Sequence, residues 1–191
     1  MKHAPLAIAI LLLFTACHND PPPPDPQLVA AAERTVRPNT TDFVTDGELV
    51  SGIYFVVDSG YGYPRSAVLY AHPPVGAYYF TSSPTLYLDP SPIVTLGNFT
   101  RIHTDDALQG GREVRLEMDE VGTARWLVAT RLSISKQVAI VVRDSVVSAP
   151  IVQDEIPSGR AAINLGNVPE SEVEAFAQRL NAEKKGVKPV R

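Results

Sequence analysis

The sequence predicts an α+β fold in which two main helices pack on one face of a mostly antiparallel sheet, and three observations carry that expectation. Val114, Leu116 and Met118 alternate with charged neighbours, so one side of this strand faces a core and the other faces water. Residues 137–142 are apolar almost throughout, as expected of a strand buried on both faces in the middle of a sheet. Pro169 stands where a helix begins, and Glu170, Glu172 and Glu174 complement the positive end of its dipole. Val173, Phe176, Ala177 and Leu180 then keep the i, i+3, i+4, i+7 spacing of a buried helical stripe.

Taken in order, the chain opens with Lys2 and His3 before an apolar run over residues 4–16, too short for a permanent membrane span and read as a secretory signal over residues 1–16. Leu13-Phe14-Thr15-Ala16-Cys17 looks like a bacterial lipobox, with Phe14 where Leu is usual. Cys17 is the only cysteine and lies where an export signal is cut, so it is expected to carry a thioether-linked diacylglycerol and a fatty acyl group such as palmitate. Two or three such chains anchor a protein stably where one does not. His18, in place of the Asp that retains lipoproteins at an inner membrane, predicts an envelope protein held at the outer membrane and facing the periplasm.

Residues 17–46 read as a linker. Pro21-Pro22-Pro23-Pro24-Asp25-Pro26 favours an extended polyproline spacer of about 3.1 Å per residue. The alanines of residues 27–36 would support a short helix, but Pro38 and Asn39-Thr40-Thr41-Asp42 suggest that the spacer continues to about Gly47. One domain is expected over 47–186, with a tail at 187–191.

The first half of that domain is strand-rich. Residues 49–57 form a β-branched and aromatic run, 67–70 and 77–80 are shorter ones, and 85–88 precede Asp89-Pro90-Ser91-Pro92. Gly60, Gly62, Pro64, Pro73, Pro74 and Pro84 supply the turns. In the second half Asp119 is a good N-cap, and Val121, Ala124, Val128 and Leu132 make one helical stripe that Trp126 and Ala129 broaden. The apolar strand then runs into a hairpin at Arg143-Asp144; Pro150, with no amide proton, ends the second strand or lies at an edge. Lys184-Lys185-Gly186 suit the end of the closing helix.

The formal charge of −4 is mild, and its signs are interspersed without a Lys/Arg cluster, which argues against a nucleic-acid partner. With its one cysteine assigned to lipid, the folded part has no thiol for a disulfide or a metal, so the apolar core must stabilise it. His103, Asp105 and Asp106 are of metal-ligand type, but His18 and His72 offer no partners in sequence, and a solvated polar loop is the expected reading. Ser59 and Ser148 lie outside any Gly-x-Ser-x-Gly turn, and Gly60 and Gly62 form no dinucleotide fingerprint. Asp119 and Glu120 read as capping groups. No catalytic residue, metal ligand or cofactor is expected. Trp126 reads as core; of Tyr61, Tyr63, Tyr78, Tyr79 and Tyr87, the first two form a loop suited to contact a partner.

Several consecutive segments together resemble a known module. Asp119-Glu120-Val121-Gly122-Thr123-Ala124-Arg125-Trp126 stands where the family has an acidic-Gly-x-x-x-Phe helix start; Ala139-Ile140-Val141 and Val146-Val147-Ser148-Ala149-Pro150 stand where it has Ala-Ile-Val, a tight turn and Val-Ile-Ser-Ala-Pro. Ile156, Gly159, Arg160 and Ile163 follow its Ile-x-x-Gly-x-x-x-Ile segment. In these positions the chain resembles the periplasmic head subdomain of SecD and SecDF, accessory subunits of the bacterial protein translocase, most closely over 112–166 and more loosely over 85–111 and 167–182. The family's hairpin turn is Asp-Gly; the departure to Arg143-Asp144 is expected to lengthen or strain it.

The resemblance implies a non-enzymatic, lipid-anchored binding module that contacts polypeptide or another envelope protein and is linked to protein transport. Candidate contacts are Tyr61, Tyr63, Val146 and Ser148. An alternative is a structural protein with one dedicated envelope partner, joined by strand addition near residues 146–148. A small hydrolase or metal enzyme is the third reading. No small-molecule substrate is expected.

Overall fold

The computed structural model describes residues 22–66, 85–107, 111–166 and 168–190. The expected signal over 1–16, Cys17, the strands at 67–70 and 77–80, and the residues His18, His72, Tyr78 and Tyr79 lie outside them.

The first described element corrects the expected helix count. Helix α1, Pro26–Thr35, occupies the segment read as spacer. Asp25 caps it by accepting from Gln27 N at 2.7 Å, and Pro26 takes the first helical position, where a missing amide proton is no loss. Leu28, Val29, Ala32 and Val36 form one stripe that packs into the main core, and Pro38 follows the helix instead of breaking it. Three helices are thus present among the described residues, not two on one face.

Strands β1 (Gly52–Val57), β2 (Tyr63–Ser66), β3 (Thr85–Leu88) and β4 (Val94–Thr95) come next. A 3₁₀ turn, Leu96–Asn98, leads into β5 (Phe99–Asp106) and β6 (Arg112–Met118). Helix α2 (Glu120–Leu132), β7 (Val138–Val142), β8 (Ser145–Ser148), β9 (Arg160–Asn164) and α3 (Glu170–Lys184) complete the order. The strands pair antiparallel in two sheets, which corrects the expected single one: the larger runs β2-β3-β1-β7-β8 with β4 beside β1, the smaller β5-β6-β9.

The central strands behave as their apolar runs predict. On β1, Ile53 and Phe55 enter the main core while Tyr54 enters a second, smaller one; on β7, Val138 and Ile140 divide from Ala139 and Val141 in the same way. The main core lies between this sheet, the small sheet and the helices, with α3 on β5 and β6 and α2 against α1, β4 and β6.

Asp119 caps α2 as expected, accepting from Gly122 N at 2.6 Å. Trp126 is core, 4% exposed, and its Nε1 donates to Arg160 O at 3.2 Å. The expected stripe is too narrow, because residues 124–130 are all buried while Leu132 is 42% exposed. A helix covered by α1 on one side and by sheet on the other needs no single apolar face. Arg125 is part of that cover: 8% exposed, it donates from Nε to Ile93 O at 2.6 Å and from Nη1 to Thr35 Oγ1 at 3.3 Å, joining α1, α2 and the approach to β4. In α3, Val173, Phe176, Ala177 and Leu180 are buried as their spacing predicts.

The β7–β8 turn is not lengthened. Val142 pairs with Ser145, and Arg143 and Asp144 both take left-handed backbone, φ 48° and 62°. This is the backbone of a tight two-residue turn, built without glycine. One extra residue, Val147, bulges β8, since Val141 pairs with Val146 but Ile140 with Ser148.

Candidate partner-contact surface

The larger sheet curves until its outer strands β2 and β8 touch, and one arginine spans the seam. Arg65 on β2 donates to Asp144 Oδ1 from Nε at 3.0 Å and from Nη2 at 2.7 Å. It also donates to Asp46 Oδ1 from Nη1 at 2.8 Å and to the Gly47 carbonyl. Asp144 Oδ1 accepts a further bond from Leu49 N at 2.9 Å. The hairpin residue that replaces a turn glycine therefore supplies the carboxylate that joins β2, the 46–49 segment and β8. Arg65 holds the exposed Asp46 carboxyl below its usual range, helped by the Gly47 amide. Beneath the seam Tyr54 is fully buried; its hydroxyl donates to Val50 O at 2.7 Å, and burial pushes its pKa up.

The two candidate tyrosines diverge. Tyr63 turns inward, its ring over Gly47 and against the smaller core; a Cβ at Gly47 would lie 2.5 Å from Tyr63 Cζ. Tyr61 is half-buried outside both cores and meets Phe43, with ring centroids 4.8 Å apart and planes tilted by 34°. Phe43 is 77% exposed and so forms an apolar ledge beside the β1–β2 connection. The ledge is held from below: Asn39 Nδ2 donates to Tyr61 O and Asp42 O, each at 2.8 Å, and Val44 N donates to Gly60 O at 2.9 Å. Asn39 N is bound in turn by the buried Asp89, whose carboxyl burial pushes up.

Val146 is 1% exposed within the smaller core, so its side chain is unavailable to a partner; Ser148 is half-buried beside it. Among the described strands β8 pairs with β7 alone and touches β2. Tyr87 is half-buried on β3, opposite Val57 and Pro64.

His103, Asp105 and Asp106 correct another expectation, for they lie on strand β5 and not in a loop. Across the small sheet, Arg101 is registered with Glu117 and Arg160, His103 with Arg115 and Ala162, and Asp105 with Glu113 and Asn164. Arg115 pairs with Asp105 at 3.2 Å and Glu113 at 2.9 Å; His103 Nε2 stands 4.0 Å from Glu117. The Asp106 amide and then Arg115 lower the Asp105 pKa. This is a self-neutralised polar face. Among the described residues no group of three or more His, Cys, Asp or Glu is placed to hold a metal ion.

Sequence reasoning reached Tyr61 but missed Phe43, Arg65 and Asp144. An aromatic residue standing alone in a polar run is the available signal for Phe43. The non-glycine hairpin turn is the signal for Asp144.

Comparison with known proteins adds to this geometry. A family model for the SecDF P1 head subdomain matches residues 75–184, more than half of the chain. Two solved structures are similar. The crystal structure of SecDF in a super-membrane-facing form is 25% identical, with a TM-score of 0.48 over 55% of this chain and 14% of that one. A structure of the membrane component SecDF that enhances protein export is 16% identical, with a TM-score of 0.50 over 73% of this chain and 64% of that one. This chain spans less than two thirds of the length of either. No curated protein matches. The family match corrects the outer-membrane location expected from His18, because SecDF, whose head subdomain the matching model describes, is an inner-membrane protein with a periplasmic head. A rule resting on one residue after a cysteine carries less than likeness across a domain.

Proposed function

Because the chain belongs to the SecDF P1 head-subdomain family, we propose that it is a non-catalytic binding module, tethered to a membrane through lipid on Cys17, that contacts polypeptide in protein export. The family match over 75–184 is the observation that carries this reading. The Phe43–Tyr61 ledge supports it, since two adjoining aromatic rings on a braced backbone offer apolar area to an unfolded chain at low entropic cost. Cys17 takes the acyl chains, and the described segment from Pro22 to Pro24 carries the tether towards α1.

The test is titration of the purified protein with an unfolded secretory polypeptide, alongside mass spectrometry of the processed protein from cells. Phe43→Ala with Tyr61→Ala should weaken binding about tenfold while leaving the melting temperature within a degree or two, because both side chains sit outside the two cores. An unmodified Cys17 sulfur removes the tether. Absence of affinity for unfolded chain, together with one stable envelope complex that depends on β8, would replace this reading with that of a dedicated structural partner.

A further inference from the structure

The segment after α3 folds back onto the body. Gly186 N and Val187 N donate to Glu183 O and Lys184 O at 3.0 and 3.1 Å, closing the helix, and residues 187–190 then cross the 3₁₀ turn between β4 and β5. There Thr95 Oγ1 donates to Lys188 O at 2.8 Å. Asn98 Oδ1 accepts from Val190 N at 3.0 Å while its Nδ2 donates to Val190 O at 3.1 Å. One side-chain amide thus makes to Val190 the pair of bonds that a facing strand residue makes in an antiparallel ladder.

Three features make this a built site. Asn98 is fully buried and Thr95 is 6% exposed. The Asn98 amide is oriented without the tail, because Oδ1 also accepts from Thr95 N at 3.2 Å and Nδ2 reaches Asp119 Oδ2 at 3.5 Å. Gly97 lies directly under the tail: a Cβ there would stand 2.3 Å from Pro189 N and 2.4 Å from Lys188 C. Its φ is not in the left-handed region, so the glycine answers to close approach of a second backbone and not to a turn. Every polar contact named here goes to main-chain atoms of the tail. The polar contacts read main-chain atoms, as strand addition does, while the Val187 side chain at the start of the segment packs against the main core.

We infer that Thr95, Gly97 and Asn98 form a binding site for an extended polypeptide segment, and that residues 187–190 occupy it as a displaceable plug. This rests on the reading above for the identity of the displacing partner, an unfolded secretory polypeptide. The plug is joined to α3 by two residues, Lys185 and Gly186, which gives it an effective concentration of about millimolar. An outside segment binds in proportion to the fraction of molecules whose plug is open.

The experiment uses the full chain and a labelled peptide of its own residues 186–191 as probe, read by fluorescence anisotropy. Val190→Pro removes the amide proton that Asn98 accepts and should tighten probe binding at least about tenfold relative to the unaltered chain. Gly97→Ala added to Val190→Pro should abolish probe binding without lowering the melting temperature further, since the three atoms nearest the new methyl group all belong to the tail. Equal probe affinity for the unaltered and Val190→Pro chains, or retained binding in the folded double variant, overturns the inference. Probe binding that an unfolded secretory polypeptide does not compete away leaves the backbone site standing and overturns the polypeptide reading of the partner instead.

Discussion

Asp144 shows how one residue serves two purposes that conflict locally. Its φ of 62° is glycine territory, yet its carboxylate accepts from Arg65 and Leu49. Asp144→Ala keeps the left-handed strain and loses the acceptor, and should cost about 2 kcal/mol given the worth of charge-assisted hydrogen bonds. Asp144→Gly loses the same acceptor but recovers about 1 kcal/mol of backbone strain. Both variants should therefore be less stable than the parent in urea denaturation, with glycine the milder; a glycine variant more stable than the parent would show that the seam contributes nothing. Asp119 and Trp126 were legible in the sequence because capping and burial follow from neighbours a few residues away. Asp144, Arg65 and Phe43 were not, because their partners lie far along the chain.

Among elements, α1 is the instructive error. Proline-rich sequence before it and Pro38 after it read as spacer, but the same residues start and stop a helix when an N-cap and an apolar stripe lie between them. Ala32 is 3% exposed in the main core, and α1 lies against α2. Ala32→Asp should cost about 2–4 kcal/mol in chemical denaturation, the range for burying an unpaired charge. A free spacer would tolerate the change. Helix α3 needed no such correction, because its four buried positions meet one surface and so print one period.

For the whole molecule, the family match and the folding unit have different limits. The match begins at residue 75, while β1, which lies between β3 and β7 and is buried on both faces, ends at Val57. A fragment of residues 75–184 would lack the centre of its larger sheet as well as α1. It should fail to give dispersed amide resonances under conditions where residues 22–191 give them; a folded fragment would show that the small sheet and α3 carry the domain alone. The curvature that brings β2 to β8, like the return of residues 187–190 to Asn98, is a property of this scale.

The sequence by itself determined the α+β class, the central apolar strand, the capped helix α2, the stripe of α3 and the family, since alternation, helical spacing and consecutive motifs are all written in neighbouring residues. Only the tertiary structure decided that the strands divide into two sheets, that α1 docks, that Arg65 closes a seam and that the tail lies on Gly97. Periodicity states which side of an element is apolar; it does not state which distant surface will cover that side, because that choice is made by the free energy of the packed whole.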